Sequence, residues 1–144
     1  MISFDEALNN ILSHIHALGL EKVSLLESLG RVLAEDISAK RDIPPLDNSA
    51  MDGYALRSED VQKASQNHPV RLEVIEDLPA GFISTKKIEK GKAIRIMTGA
   101  PIPKGADTVI PVEETKKEDG AVLIFKAAAL GENIRKSGED VRKG

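Results

Sequence analysis

Apolar residues near the start of the chain recur every three to four positions, the period of an α-helix that buries one face. The members of this stripe are Phe4, Leu8, Ile11, Leu12 and Ile15. Ser3 and Glu6 fit a capping box, which satisfies free N–H groups of a first helical turn. Gly19 is a suitable C-terminal stop. The pattern therefore predicts an amphipathic helix that begins after Ser3 and ends before Gly19.

A second short helix is predicted downstream. Residues 24–27 form another capping box, Ser-Leu-Leu-Glu. Leu29, Val32 and Leu33 then continue with helical period. Gly30 weakens this helix in its middle, because glycine has low helix propensity. The leading part of the chain is thus expected to contain two short helices.

The pattern changes at a proline-rich segment. Residues 43–48 combine two prolines with Asp and Asn, which neither a helix nor a central strand accepts. Downstream, short apolar or alternating runs are separated by turn residues, as in β-structure. The predicted strands cover residues 53–56, 70–75, 93–97, 108–112 and 121–125. The turn sequence Glu-Asp-Gly at 118–120 predicts a hairpin between the last two strands.

These elements predict an α+β fold: short N-terminal helices in an elongated part, plus a mainly β module that is barrel-like or a sandwich. Residues 1–43 together with 134–144 are expected to form the elongated helical and linker part. Residues 44–133 are expected to form the β-rich module. Helices across residues 70–125 would contradict this prediction.

Composition narrows the classes of function. The chain has 144 residues, enough for one core or one core with an appendage. Aromatic residues make up only 3%, so a surface on which nucleic-acid bases stack is not expected. The net charge is −3, so a positive field that would attract nucleic acid or an anionic membrane is not expected either. The lack of cysteine removes disulfides, thiolate nucleophiles and zinc ribbons. Without a signal peptide or a membrane-length apolar run, a cytoplasmic location is expected.

Residues 44–55 carry the densest candidate chemistry. Four oxygen-bearing side chains fall within six positions: Asp47, Asn48, Ser49 and Asp52. Hard oxygen ligands on a proline-stiffened loop suit Mg²⁺ or an oxyanion-bearing substrate. The alternative is turn chemistry, in which Asp and Asn side chains cap backbone N–H groups and Gly53 relieves a tight bend.

Two further segments have functional and ordinary interpretations. Residues 98–101, Thr-Gly-Ala-Pro, follow an apolar run that is predicted to be a strand. Free N–H groups and a hydroxyl at the end of that strand could bind an anion. The alternative is a simple turn that ends the strand. Arg135 and Arg142 flank Gly-Glu-Asp at 138–140, which suits bidentate phosphate recognition beside an acidic metal ligand. A solvated charged tail explains the same residues.

Over its whole length the chain resembles the molybdopterin molybdenumtransferase family, which includes the E domain of gephyrin. The resemblance is carried by four motifs in the same order. They are LGRVLAED at 29–36, DNSAMDGYA at 47–55, RIMTGAPIP at 95–103, and NIR with GED at 133–140. The second motif is close to diagnostic.

The resemblance implies a reaction and a site. Family members insert molybdate into adenylylated molybdopterin, with Mg²⁺-dependent release of AMP. The residues it implies as catalytic are Asp52, Thr98 and Asp140. Those it implies as binding the pterin substrate are Asn48, Ser49, Gly99 and Arg135. Asp52 and Asp140 are the implied metal ligands, and these residue types suit metal, oxyanion and phosphate binding.

The resemblance also implies what this chain lacks. Family chains continue after Gly-Glu-Asp into a pterin-binding α/β domain and then a small C-terminal β domain, so this chain is expected to be an N-terminal portion that is inactive alone. The family's site forms between subunits, which implies a homodimer through the missing and elongated parts. A molybdopterin adenylyltransferase is the expected upstream partner. A non-catalytic scaffold of the same fold is the alternative, although a scaffold has no chemical need for Asp52, Thr98 and Asp140.

Overall fold

The computed structural model describes residues 2–144, and the chain divides into two compact units, Met1–Ile37 and Ser38–Gly144. The first unit contains one α-helix, α1 (Phe4–Ser13). The Ser3 hydroxyl accepts a hydrogen bond from the Glu6 backbone N–H at 3.2 Å, and a Glu6 carboxylate oxygen accepts one from the Ser3 N–H at 2.8 Å. The predicted capping box is therefore confirmed.

The predicted end of α1 is wrong, because the helix stops at Ser13 and not near Gly19. Local side-chain bonds account for the early end. The Ser13 hydroxyl donates to the Asn10 carbonyl at 2.8 Å, and His14 Nδ1 lies 2.7 Å from the same oxygen. Side chains that bond the backbone in this way compete with the next turn of helix.

The second predicted helix is also wrong, since only one 3₁₀ turn forms, at Leu25–Glu27. The Ser24 hydroxyl donates to the Glu27 carboxylate at 2.8 Å and does not cap a backbone N–H. Gly30 adopts a φ of 80°, outside the right-handed helical region. A helix this short is marginal without a surface to pack on, and the leucines meant to face that surface are exposed.

The apolar stripe of α1 leads to a testable expectation. The helix contains no buried residue, and Phe4 is 80% exposed. We expect amides 4–13 of this chain to be protected against hydrogen exchange by no more than about tenfold, because a ten-residue helix without packing is marginal in water. The buried strand residues Ile94 and Val109 serve as strongly protected internal controls. Comparable protection of α1 would show that its apolar face is covered in solution.

Eight strands form in the second unit. They are β1 (Asn48–Ser49), β2 (Gly53–Leu56), β3 (Val70–Leu78), β4 (Lys92–Ile96), β5 (Thr108–Pro111), β6 (Thr115–Glu118), β7 (Ala121–Ile124) and β8 (Ile134–Arg135). A six-stranded sheet has the order β5-β2-β4-β3-β7-β6, and β1 pairs with β8. Within the larger sheet only β3 and β4 run parallel. The sheet curls into a half-barrel, which confirms the predicted α+β class.

Both faces of strand β2 are buried. Tyr54 and Leu56 of β2 belong to one core cluster, whereas the intervening Ala55 packs in a second cluster with Ile94 and Val109. All four residues of β2 are buried, so the strand reads as a continuous apolar run without alternation. This packing fixes the position of β2, which directly follows the candidate residues 47–52 in the chain.

The predicted hairpin joins the wrong strands. The turn at residues 118–120 connects β6 to β7, with Glu118 opposite Ala121, whereas β5 pairs with β2. Strand β6 was not predicted, because its sequence, Thr-Lys-Lys-Glu, is polar and has no alternating apolar residues. It is an edge strand of the sheet, where exposed lysines discourage pairing with other chains.

The final segment is bonded to the region around the two prolines. Strand β8 pairs with β1, Ile43 forms a bridge with Val141, and the Gly144 N–H donates to the Ala39 carbonyl at 3.0 Å. The grouping of residues 1–43 with 134–144 as an elongated part separate from 44–133 stays a prediction. No helix within residues 2–144 is long and apolar enough to span a bilayer.

Candidate functional site

Strand β1 lies between two other segments of the candidate site. On one side Asn48 is opposite Arg135 and Ser49 is opposite Ile134. On the other side the Ser49 carbonyl accepts from the Gly99 N–H at 2.8 Å. The structure therefore brings together three stretches that lie far apart in sequence: 47–52, 98–102 and 134–140.

Asp52 and Thr98 form the first charged feature of the site. One carboxylate oxygen of Asp52, Oδ1, accepts hydrogen bonds from both the Thr98 N–H and the Thr98 hydroxyl, each at 2.7 Å. The Asp52 carbonyl accepts from the Val112 N–H at 3.0 Å, which fixes the backbone at the start of β2. The second carboxylate oxygen has no hydrogen-bond donor among residues 2–144. Asp52 thus holds Thr98 with one oxygen and leaves the other without a protein partner.

These bonds lower the pKa of Asp52. The backbone N–H of Thr98 has the largest effect, followed by its hydroxyl and then by the positive charge of Arg95. All three favour the ionised carboxylate. The group therefore stays negatively charged at neutral pH, as a metal ligand or a proton acceptor must.

This arrangement predicts a specific pH dependence. In an NMR titration of the carboxyl carbons, we expect Asp52 to titrate below the ordinary aspartate midpoint of about 3.9. Because the folded-state pKa is the lower one, the stabilisation is present above the unfolded pKa and is lost as the pH falls through the folded value. Replacing Thr98→Ala should raise the midpoint partway, since the backbone donor remains. An unshifted Asp52 in the wild-type chain would contradict the Thr98 contacts.

Arg135 and Asp140 form the second charged feature. Arg135 Nη2 donates to Asp140 Oδ1 at 2.6 Å, and Arg135 Nε lies 3.6 Å from a Glu139 carboxylate oxygen. The bond to Asp140 is the main reason that the pKa of Arg135 is raised. Arg135 Nη1 has no partner among the described residues, so part of the guanidinium can still bind an anion. Both acidic groups are about half exposed and accessible to a ligand.

The Thr98 to Ala100 loop uses its backbone donors within the chain. The Thr98 N–H binds Asp52, the Gly99 N–H binds the Ser49 carbonyl, and the Ala100 N–H binds the Met97 carbonyl at 3.0 Å. This geometry favours the strand-ending turn over a cradle of free N–H groups. A substrate-binding role for Gly99 stays a prediction.

Asn48 and Ser49 differ in what they can offer. The Ser49 side chain is buried, and its hydroxyl donates to the Met51 carbonyl at 2.6 Å, which shapes the turn before Asp52. The Asn48 amide oxygen is buried and has no hydrogen-bond donor among residues 2–144. An unpaired buried acceptor is costly unless a water or ligand supplies the donor. Asn48 is therefore the better placed of the two to contact a bound molecule.

The carboxylates suit a cation that is shared with a substrate. No cluster of three or more His, Cys, Asp or Glu side chains capable of holding a metal occurs in the part of the chain that the structure describes. Asp52 and Asp140 each use one oxygen within the chain and leave the other without a protein donor. Mg²⁺ is commonly held by one or two carboxylates, waters and substrate phosphates. The free oxygen on each carboxylate has the chemistry for that mode of binding.

Sequence reasoning missed one residue beside this site, Arg95, and the role of a second, Asp47, which it had named only as a possible oxygen ligand. Arg95 lies opposite Tyr54 in the β2–β4 pair, reaches to 3.8 Å from Asp77, and helps to lower the pKa of Asp52. A charged residue inside an otherwise buried strand was the available signal. The role of Asp47 depends on Lys136, 89 positions away, so no local pattern could have revealed it.

Comparisons with known proteins agree on one family. The family model described as MoeA N-terminal region (domain I and II) matches residues 2–144. The molybdopterin molybdenumtransferases of Staphylococcus epidermidis and Bacillus subtilis are 44% and 43% identical over 99% of this chain, which spans 34% of each. The crystal structure of the molybdopterin biosynthesis moeA protein from Pyrococcus horikoshii OT3 superimposes with a TM-score of 0.92 at 46% identity, covering 100% of this chain and 38% of that one. The chain thus spans about a third of its relatives.

Proposed function

Because the chain belongs to the family of MoeA N-terminal regions, we propose that it contributes one wall of the molybdenum-insertion site of a molybdopterin molybdenumtransferase. The observation that carries the proposal is the convergence of Asp52, Thr98, Arg135 and Asp140 on three segments joined through β1. These joined segments carry two exposed carboxylates and a guanidinium with atoms that no protein group binds, which a structural linker would not need. The relatives' names supply the reaction class, a transfer of molybdenum to molybdopterin.

Each charged or polar group of the proposed site has a separate role. The free Nη1 donors of Arg135 bind an oxyanion, such as the phosphate of an adenylylated pterin or molybdate itself. Asp140 and Glu139 orient the guanidinium from the other side. The buried side-chain amide oxygen of Asn48, Oδ1, accepts a hydrogen bond from the bound substrate. Asp52 remains ionised and is oriented by Thr98, which leaves its second oxygen directed at a ligand.

Mg²⁺ completes the proposed site. Asp52 and Asp140 would hold the ion together with substrate phosphate, and the ion would supply electrostatic stabilisation of negative charge as the adenylate is released as AMP. The remaining walls would come from an α/β domain and from a second subunit, beyond the third of the relatives' length that this chain spans. A molybdopterin adenylyltransferase would supply the substrate, and the cytoplasm is the proposed location.

The test is a reconstitution with the full-length protein that carries this region. Adenylylated molybdopterin, molybdate and Mg²⁺ are mixed with the protein, and AMP release and pterin-bound molybdenum are measured together. We expect both to appear in equal amounts, and both to fall when molybdate is omitted or Mg²⁺ is chelated. AMP release and molybdenum binding that stay at the no-enzyme level under all conditions would overturn the proposal.

A further inference from the structure

Asp47 bonds the turn that links Arg135 to Asp140. Its two carboxylate oxygens accept hydrogen bonds from the Ser137 N–H and from Lys136 Nζ, both at 2.8 Å. These contacts lower the pKa of Asp47, with the lysine as the largest cause. The carboxylate is therefore an ionised anchor for residues 136 and 137, next to Arg135 in the chain.

Asp47 is also bonded to the opposite side of the site. Its backbone carbonyl accepts from the Ile102 N–H at 3.0 Å, just after the Thr98 to Ala100 loop. Asp47 precedes Asn48, which pairs with Arg135 in the β1–β8 ladder. One residue thus bonds both segments that flank β1.

The turn itself brings the charged pair together. Residues 136–139 form a turn closed by a Glu139 N–H bond to the Lys136 carbonyl at 3.1 Å, and Gly138 adopts a φ of 71°. Arg135 precedes the turn and Asp140 follows it, so their 2.6 Å bond depends on how the turn is held. The Ser137 N–H that binds Asp47 lies in the middle of this turn.

We propose that Asp47 is a positioning residue of the site. Together with the Pro44 and Pro45 carbonyls, which bond Gly138 and Ser137, its carboxylate holds the 136–139 turn and thereby sets the geometry of the Arg135–Asp140 pair relative to Asp52 and Thr98. The expected effect on catalysis rests on the proposed function, whereas the expected effect on the structure of the turn is independent of it. The Asp47 side chain forms no hydrogen bond with Arg135 or Asp140 and acts through residues 136 and 137, which lie between them in the chain.

Asp42 provides a matched control. Its Oδ1 accepts a hydrogen bond from the Lys143 N–H at 2.8 Å, the same length as the Asp47 bond to Ser137. Both aspartates bind the backbone of the terminal segment, but Asp42 binds it beyond Asp140. Replacing Asp42→Ala therefore weakens the attachment of the segment while both Asp47 bonds to residues 136 and 137 remain.

The first arm of the test uses NMR on this chain. We expect D47A to shift the Arg135 Nε–H resonance and to speed hydrogen exchange of the Ser137 amide by at least about tenfold, whereas D42A leaves both unchanged. D47N should lie between, since its amide oxygen still accepts from Ser137. An Arg135 resonance that is the same in D47A as in the wild type, with both folded, would overturn the proposal.

The second arm measures molybdenum insertion by the full-length protein. We expect D47A to lower kcat/KM by about 10- to 100-fold, the range for groups that orient a binding residue, while D47N loses less and D42A stays within about twofold. Equal losses in D47A and D42A would show general weakening of the segment. Full recovery in D47A/K136A would show that Asp47 only neutralises Lys136. Either result overturns the positioning role. If the wild-type protein is itself inactive, the proposed function is wrong, and the NMR experiment alone then tests the role of Asp47.

Discussion

A Gly53→Ala replacement is expected to unfold or severely destabilise the β-rich unit. A Cβ atom at Gly53 would lie 2.1 Å from the backbone oxygen of Ile110 and 2.9 Å from its carbonyl carbon. Both atoms belong to β5, which pairs with β2, so relief requires separating two buried strands. We expect a loss of more than about 4 kcal/mol in the free energy of unfolding, the range that marks a specific structural clash. Typical domains have only about 5–15 kcal/mol in total.

Gly91→Ala is the matched control for this experiment. Gly91 adopts a φ of 78°, but a Cβ atom added there would meet no other part of the chain within 4 Å, so only backbone strain is introduced. That strain is worth roughly 1–2 kcal/mol. Urea unfolding of both variants, followed by circular dichroism, makes the comparison. A Gly53→Ala chain as stable as the Gly91→Ala chain would contradict the close approach of β2 and β5.

An Asp52→Asn replacement in the full-length protein is expected to lower molybdenum insertion by roughly 100-fold or more, with little change in thermal stability. The amide oxygen of asparagine can still accept from the Thr98 N–H and hydroxyl, so the local fold is retained. What is lost is the negative charge on the oxygen that has no protein donor. The measurement is AMP release and pterin-bound molybdenum under saturating substrate.

Asp77→Asn is a control of the same chemical change. Asp77 is an exposed aspartate that lies near Arg95 but has no hydrogen bond to Thr98, and its loss should change insertion by less than about threefold. Unchanged insertion in the Asp52→Asn enzyme would remove Asp52 from the catalytic machinery. A large fall in melting temperature would instead make its role structural.

Local pattern was a reliable guide where the required interaction was itself local. The Ser3 and Glu6 capping box joins residues three apart, and it formed as predicted. Strands β2, β4 and β7 were also found close to their predicted limits, because their apolar residues need only a buried surface and not a particular partner. The motif residues likewise identified the family, which the comparisons confirm.

The errors arose where a distant partner decided the outcome. The second helix needed a surface for Leu29, Val32 and Leu33, and without one a single 3₁₀ turn formed. The hairpin at 118–120 was assigned to β5 because β6 has no apolar signal. Pairing of β5 with β2 follows from the whole sheet order, which no local pattern encodes.

The sequence by itself determined the family, and through that resemblance it named the carboxylates, hydroxyl and guanidinium at 52, 98, 135 and 140 as candidate site residues. Only the tertiary structure decided how they are arranged. It placed β1 between the 98–102 loop and β8, used the backbone donors of the loop internally, and bonded Asp47 to a turn about 90 residues away. The physical reason is that residue types set what chemistry is possible, whereas hydrogen bonds between distant segments set which atoms remain free to perform it.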